Sequence, residues 1–423
     1  MTTTTVARVE ATENAIATWL TSAAWAILLG VASGSSCVVV RFFFRFLQWL
    51  FVQQTGMLPF AAANLTPERR IMTPIIGAAF ATLVLWTMRR SALDSRFEEY
   101  VEAVRLRDGR IPLLSTAWRT LSSAFSVATG AAIGREGSMI QFAAAIISWM
   151  GARAPIKNLS LSRQVAYGVA AAVGAVYQAP IAGVFFAMEI VLGEFSWSDI
   201  SSLLLVSGSG WMISRITLGA GPLFPTMGQL SMSIDLLWAF PLAVLLGVSG
   251  PAYQKLLHLS KAASRLPLPL LWSGLAVGLF SLVEPRVWGN GDVALLGILQ
   301  NKATLVTIAG VLACRIAVTT FCVGTGTVGG VFTPTLFAGA AIGLAAGHLL
   351  YQPEPLIFAV CGMAMLMAAV THAPLMASAM AIELTGQWHL LPVIILCTLL
   401  ASFIARTISR DSMYAIASPQ PAP

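Results

Sequence analysis

Charged residues are scarce in this chain of 423 residues, where they make up only 10% of the sequence. Soluble domains carry about 25% charged residues, so this composition excludes an ordinary soluble domain. Hydrophobic residues account for 57% of the chain, and the mean hydropathy is +0.79. Because long apolar runs cross a bilayer as helices, the sequence predicts an all-α polytopic membrane protein.

Cysteine and histidine, the usual ligands of transition metals, are also few. The five cysteines all lie in apolar stretches without Cys-x-x-Cys spacing, and the four histidines lack His-Glu-x-x-His spacing. This pattern indicates neither a disulfide framework nor a metal site. We therefore predict that the protein holds no catalytic metal.

Basic residues exceed acidic ones, which gives a formal net charge of +7, and many of the arginines lie between Arg89 and Arg119. In so apolar a chain, such a stretch indicates a cytoplasmic loop by the positive-inside rule, and not nucleic-acid binding. The N-terminus lacks the pattern of a cleaved secretory signal. We therefore expect the first apolar segment to remain as an anchor in the lipid bilayer.

The apolar runs differ in length, and several fall short of the ~20 residues that cross the hydrocarbon core. Short runs interrupted by glycine predict broken and tilted helices around a polar path. The runs are Thr18–Val52, Ile71–Met88, Leu121–Ile133, Val165–Gly193, Ser201–Ile216, Leu236–Gly250, Leu268–Val283, Leu305–Val323, Val331–Tyr351, Leu356–Val370 and Leu390–Ile404.

An internal repeat places the same landmarks in the same order in both halves. Leu28–Gly34 is echoed by Leu245–Gly250, and Gly134–Ser138 has a counterpart in Gly330–Pro334, each a glycine-led break before an apolar helix. Many transporters are built from repeats of inverted topology with a site between the halves. We predict inverted membrane halves at 16–225 and 226–416, with tails at 1–15 and 417–423.

A third landmark ends in a glutamate in each half. Ala179-Pro180 precedes Glu189 at the same spacing at which Ala373-Pro374 precedes Glu383. Because both halves carry it, we predict a shared structural role, in which each carboxylate accepts hydrogen bonds from backbone or neighbouring polar groups. Arg315 is a further intramembrane charge, which we expect to pair with a carboxylate or to lie near the pore.

Glu136 is the leading functional residue, because it lies in a charged pair between Gly134 and Gly137 with apolar segments on both sides. A charge near the bilayer centre costs about 2.5–3.5 kcal/mol on insertion scales, so a carboxylate there indicates function. The alternative is a salt bridge with Arg135, although adjacent helical residues do not face each other. The apolar run from Met139 predicts that Glu136 lies at a helix N-terminus, where free N–H groups attract anions.

These stretches resemble two signatures of the CLC chloride channel and transporter family. Gly134–Ser138 is similar to GREGP, and Gly330–Pro334 matches GxFxP at every fixed position. The resemblance covers nearly the whole chain and is greatest with the bacterial ClcB-like branch. It implies an anion site formed by Gly134, Arg135, Gly137, Gly330 and the backbone amides of Val331 and Phe332, with Glu136 as the gate.

The family also uses a tyrosine hydroxyl near the end of the membrane domain, and Tyr414 lies at that place. An interfacial anchor is the alternative for this residue. The loop before Gly330 contains G-x-G-x-x-G at Gly324, Gly326 and Gly329, but no acidic residue follows ~20 positions on. We therefore reject dinucleotide binding.

Two departures from the family bear on function. The first signature, GSGIP, is absent, and Ser95 within Leu93–Glu98 is at most a remnant, so the selected anion does not follow from the sequence. Many antiporters of the family carry an inner glutamate directly after the position of Glu189, where this chain has Ile190. Isoleucine cannot relay a proton, although some relatives without this glutamate still couple.

The resemblance implies anion transport by a homodimer in the bacterial inner membrane, with one pathway in each subunit. A gated chloride channel is the main prediction, and chloride/proton or fluoride/proton antiport is the alternative. A remote alternative is an intramembrane serine protease, because Gly247–Gly250 fits G-x-S-G with Ser249 as nucleophile and His348 or His372 as base. The repeat instead favours helix packing for this landmark.

Overall fold

The structure is a computed structural model that describes residues 3–91, 99–156, 159–219, 221–226, 228–231, 234–300 and 304–414. Within these ranges the elements are helices, and the one extended pairing is an isolated bridge between Gly134 and Gly330. The predicted all-α fold is confirmed. The helix α1 starts at Thr3, so it includes most of the predicted N-terminal tail, while 417–423 lies outside the described residues.

The first half contains nine of the described helices and the second half contains eight. Those of the first half are α1 Thr3–Val52, α2 Leu58–Ala63, α3 Pro67–Arg90, α4 Tyr100–Leu106, α5 Leu113–Ala128, α6 Glu136–Arg153, α7 Leu161–Tyr177, α8 Pro180–Phe185 and α9 Ile200–Leu218. Those of the second half are α10 Ala239–Ser260, α11 Pro269–Val283, α12 Asp292–Leu299, α13 Leu305–Gly324, α14 Phe332–Leu349, α15 Pro355–Thr371, α16 Pro374–Thr385 and α17 Leu391–Ile408.

Six helical segments in the described ranges are long and apolar enough to cross a membrane, which agrees with the predicted polytopic protein. They are Leu20–Val52, Pro67–Arg90, Leu236–Arg265, Leu305–Gly324, Phe332–Leu349 and Trp388–Ile408. Other apolar helices are shorter, including α11, α15 and α16. The predicted mixture of spanning and broken helices is therefore present.

The apolar run Val165–Gly193 is divided into three elements. The helix α7 ends at Tyr177, and Gln178 adopts the left-handed conformation with φ of 54°. Pro180 starts α8, because proline lacks the N–H that would continue the preceding helix. A π-helix from Phe186 to Leu192 follows directly. Hydrophobicity alone predicts one continuous apolar segment, whereas Pro180 marks the position at which the helix is interrupted.

The first repeated landmark is a helix-packing element in both halves. A methyl group on Gly34 would lie 2.8 Å from the carbonyl oxygen of Gly210, and one on Gly250 would lie 2.6 Å from Cβ of Ala369. Small residues allow such close helix contacts in membranes. The Ser249 hydroxyl in this landmark donates to a carbonyl one turn earlier, at 2.8 Å, as helical serines commonly do. These contacts support the helix-packing role that the repeat indicates for this landmark.

The third landmark joins the two halves through reciprocal hydrogen bonds. The Glu189 carboxylate accepts from the backbone N–H groups of Leu375 and Met376, at 3.2 and 2.7 Å, in the first turn of α16. The Glu383 carboxylate accepts from the equivalent pair in α8, at 3.0 and 2.8 Å. First-turn N–H groups have no partner within their own helix. Each half therefore completes a helix start of the other.

Candidate functional site

The two glycine-led breaks pair with each other through their backbones. The N–H of Gly134 donates to the carbonyl of Gly330 at 2.7 Å, and the N–H of Gly330 donates back at 2.8 Å. The helix α6 begins at Glu136 directly after one break, and α14 begins at Phe332 directly after the other. The predicted helix N-terminus at Glu136 is thus present. Two helix starts, one from each half, lie side by side.

Glycine is required at this junction because the backbones approach closely. A methyl group on Gly134 would lie 2.2 Å from Oε2 of Glu136 and 3.0 Å from the carbonyl oxygen of Gly330. One on Gly137 would lie 3.2 Å from both Cα and N of Gly330. Side chains here would push the helix starts apart or displace the glutamate.

The Glu136 carboxylate is buried, with only 6% of the residue exposed. Its Oε1 accepts a hydrogen bond from Nδ2 of Asn290 at 2.5 Å. Its Oε2 has no hydrogen-bond partner among the described residues, and no ion pair there joins it to Arg135. The salt-bridge alternative for Glu136 is therefore not what the structure contains.

Asn290 was not foreseen from the sequence. It lies in the loop between α11 and α12, flanked by Gly289 and Gly291, both with positive φ. Its Oδ1 accepts from the N–H of Asp292 at 3.1 Å, which orients Nδ2 toward Glu136. The two glycines signal a sharp turn, but nothing local indicates that the turn reaches a glutamate in the other half.

Arg315 supports this loop. Its guanidinium donates to the carbonyl oxygens of Arg286 and Gly289, at 2.6 and 2.9 Å, and lies over the ring of Phe337. The expected pairing with a carboxylate is absent among the ion pairs of the described residues, and the guanidinium binds backbone carbonyls. Arg315 holds the loop that presents Asn290 to Glu136, and its place near the pore stays a prediction.

Two cavities meet at the junction. The first, here called the tyrosine cavity, measures about 400 Å³ and is lined among others by Tyr100, Tyr177, Tyr414, Gly137, Val331 and Phe332. The second, here called the arginine cavity, measures about 350 Å³ and is lined among others by Arg41, Arg45, Arg135, Glu136, Asn290 and Asp292. Tyr177 lines both cavities.

The structure thus divides the predicted site residues between two cavities. Gly137, Gly330, Val331, Phe332 and Tyr414 line the tyrosine cavity. Arg135 and Glu136 line the arginine cavity, and Gly134 is buried in the bridge between them. Their roles in binding an anion stay predictions.

Tyr414 belongs to an aromatic cluster at the tyrosine cavity. Its ring packs edge-on against Phe186, with centroids 5.7 Å apart, and Phe186 also contacts Phe332. Tyr414 is half-buried against this cluster, and its role at the pore stays a prediction. Tyr100 lies close enough for its hydroxyl to interact with that of Tyr414, and sequence reasoning gave it no role. Ser95, the remnant of the first signature, lies outside the described residues.

Ile190 is buried in the π-helix that follows α8, with 3% of the residue exposed. Its carbonyl oxygen accepts from the guanidinium of Arg105 at 2.6 Å. The side chain itself offers no titratable group, as the sequence indicated.

Taken together, the two adjoining helix starts and the buried carboxylate between two cavities define a helical membrane transport protein. A family model described as voltage gated chloride channel matches residues 77–406 of the chain. The chain therefore belongs to this family, and the predicted anion transport by a protein of the CLC type is confirmed.

Relatives and solved structures agree with this membership. The chain is 35% identical over 407 residues to a voltage-gated ClC-type chloride channel ClcB of Escherichia coli O81, covering 92% of this chain and 96% of the relative. The ClcB protein of Shigella flexneri is 34% identical over the same length. A slow cyanobacterial Cl⁻/H⁺ antiporter has a similar fold, with a TM-score of 0.81, 24% identity and coverage of 93% and 96%. A CLC-type fluoride/proton antiporter follows, with a TM-score of 0.75, 21% identity and coverage of 94% and 98%.

Proposed function

We propose that this protein is a gated chloride channel in which the Glu136 carboxylate is the gate. The observation that carries this proposal is the position of Glu136. It lines the arginine cavity, the next residue, Gly137, lines the tyrosine cavity, and Tyr177 lines both. A side chain at this junction blocks passage when it occupies the space that an anion needs.

The helix starts supply the attraction for the anion. The first-turn N–H groups of α6 and α14 have no partners within their helices, and the positive ends of both helix dipoles lie at the junction. Chloride and the ionised carboxylate of Glu136 compete for this positive region. Protonation or displacement of Glu136 leaves the region to the anion.

The two cavities open to opposite sides of the membrane in this proposal. Arg119 and Lys261 line the tyrosine cavity, and Arg119 ends the basic stretch that begins at Arg89. Basic residues near membrane segments favour the cytoplasmic side. The tyrosine cavity is therefore the cytoplasmic vestibule, and the arginine cavity faces the periplasm.

Proton-coupled exchange of chloride or fluoride is the second candidate. Ile190 supplies no proton relay, but the carboxylate of Glu99 lines the tyrosine cavity and adds a titratable group on the side opposite Glu136. A proton path from Glu99 to Glu136 would bypass Ile190. This observation keeps antiport as a testable alternative.

Flux from liposomes that contain the purified protein distinguishes the two candidates. Liposomes loaded with chloride or fluoride are diluted into anion-poor buffer while external anion and pH are recorded, for wild type, Glu136→Gln and the control Glu68→Gln. Glu68 is an exposed carboxylate in the first turn of α3 and lines neither cavity. The channel predicts anion flux without proton movement, with a pH dependence that Glu136→Gln alone removes.

Proton movement against its gradient in wild type, abolished by Glu136→Gln, would establish the exchanger instead. No anion flux from folded wild-type protein would contradict both candidates.

The remaining features of the proposal follow from family membership. We propose a homodimer in the bacterial inner membrane with one pathway per subunit, in contact with the lipid bilayer. Its ligand is chloride or another small anion, and it binds no nucleic acid, requires no cofactor and catalyses no chemical reaction.

A further inference from the structure

The arginine cavity contains more positive charge than its described neighbours neutralise. Arg41 and Arg45 lie one helical turn apart on α1 and share a face, and Arg135 reaches the same cavity from the start of α6. The charge of Arg41 interacts unfavourably with those of Arg135 and Arg45 and favourably with that of Glu136, and the charge of Arg45 interacts unfavourably with that of Arg135. Like charges at this spacing repel one another.

Arg41 is a buried arginine in which one donor has no partner among the described residues. It is buried, with 7% of the residue exposed, although arginine is almost never buried unless paired. One terminal nitrogen donates to the carbonyl of Val176 at 2.8 Å, while its Nε has no hydrogen-bond partner among the described residues. A buried, unpaired donor of this kind costs free energy that a bound anion would recover.

Two carboxylates line the same cavity, those of Glu136 and Asp292, and one oxygen of each accepts a hydrogen bond from a group other than an arginine. Glu136 accepts from Asn290, and Asp292 accepts from the N–H of Val293 at 2.7 Å. In the described part of the chain, none of the ion pairs includes Arg41, Arg45 or Arg135. Three guanidinium groups therefore face one cavity without a carboxylate bound to them.

We propose that Arg41, Arg45 and Arg135 form a binding site for one small monovalent anion in the arginine cavity. This site shares Arg135 with the anion site implied by the sequence, but it lies in the arginine cavity, whereas Val331 and Phe332 line the tyrosine cavity. It rests on the proposed function for its ligand, which is the transported chloride. An anion bound there lies beside Glu136. It raises the local concentration of chloride, which competes with the Glu136 carboxylate for the helix starts.

Bromide, which scatters anomalously, tests occupancy without any need for transport. Crystals of the full chain grown in bromide should show an anomalous peak among the three guanidinium groups in wild type. Arg41→Gln and Arg45→Gln should weaken or remove this peak. Arg69→Gln is the matched control, because Arg69 is an exposed arginine in the first turn of α3 that lines neither cavity.

Chloride flux tests the consequence of the site. The half-saturating chloride concentration should rise roughly two- to fivefold in Arg45→Gln, whose side chain is exposed, and roughly tenfold in Arg41→Gln, whose side chain is buried. The maximal rate and the Arg69→Gln control should stay unchanged. Because Arg41 also contacts Val176, Arg45→Gln is the variant that alters charge without altering packing.

The outcomes separate this inference from the proposed function. A wild-type bromide peak without chloride flux would refute the channel and leave the site in place. Flux without a peak would refute the site and leave the channel in place. A rate loss in Arg45→Gln that disappears in 1 M impermeant salt, where the screening length is about 3 Å, would also refute a bound anion and indicate diffuse steering.

Discussion

The hydrogen bond between Asn290 and Glu136 leads to the sharpest prediction for gating. Asn290→Asp keeps the size of the side chain and the acceptor that binds the N–H of Asp292, but it replaces the donor that faces Glu136 with a carboxylate oxygen. The variant therefore removes one hydrogen bond and adds repulsion. We expect it to release Glu136 from the junction while the loop keeps its conformation.

The magnitude follows from the strength of hydrogen bonds to charged groups. Such a bond contributes about 1.5–3 kcal/mol. This free energy corresponds to a change of roughly 10- to 150-fold in the ratio between molecules whose Glu136 carboxylate occupies the junction and molecules whose carboxylate has left it. Chloride flux at neutral pH should rise toward the level of Glu136→Gln and lose most of its pH dependence. The assay is the liposome flux measurement, with thermal unfolding in detergent as the check that the variant is folded.

The double variant decides whether Asn290 acts through Glu136. If it does, the double variant Asn290→Asp/Glu136→Gln has the same flux as the single variant Glu136→Gln. A double-mutant cycle measures this coupling between the two residues. Wild-type flux in Asn290→Asp, or an equal effect on wild type and Glu136→Gln, would refute the reasoning.

Three further predictions test other contacts. Glu383→Gln removes one of the two acceptors that cap α8 and should lower the free energy of unfolding by about 1.5–3 kcal/mol in detergent. Gly134→Ala places a methyl group 2.2 Å from Oε2 of Glu136, so it should displace the carboxylate and raise chloride flux, and wild-type flux would contradict this. Glu354 lies outside the membrane-spanning segments, and hydrogen bonds from the side chain and backbone N–H of Ser231 lower its pKa. The ionised form of Glu354 therefore stabilises the folded protein at neutral pH. The stability difference between wild type and Glu354→Gln should therefore be present at pH 7 and shrink below about pH 4, as thermal unfolding at each pH will measure.

The sequence predicted the residues that repeat between its two halves and the charge that lies in an apolar stretch. Glu189 and Glu383 could be recognised as structural because the same residue stands at the same spacing in both halves, and their hydrogen bonds confirm that reading. Glu136 stood out because a charge in an apolar surrounding is costly, and the helix start at this residue is confirmed.

Contacts between distant segments could not be predicted in this way. Asn290 is polar, short and placed in an ordinary turn, and its importance arises only when the fold brings it beside a glutamate 154 positions away in the sequence. Arg315 was recognised as unusual, but its partners are backbone carbonyls, which have no signature in a sequence. The place of Tyr100 in the site likewise follows only from the fold, which brings its hydroxyl near that of Tyr414.

The reciprocal glutamate caps constrain how the protein assembles during synthesis. When the ribosome has inserted the first half, the first-turn N–H groups of α8 have no carboxylate, because Glu383 has yet to be translated. The carboxylate of Glu189 likewise lacks the N–H groups of α16 that it binds in the complete protein. The newly made first half therefore lacks hydrogen-bond partners for the first turn of α8 and for the Glu189 carboxylate. The starts of α8 and α16 are both capped only when nearly the entire chain has been made.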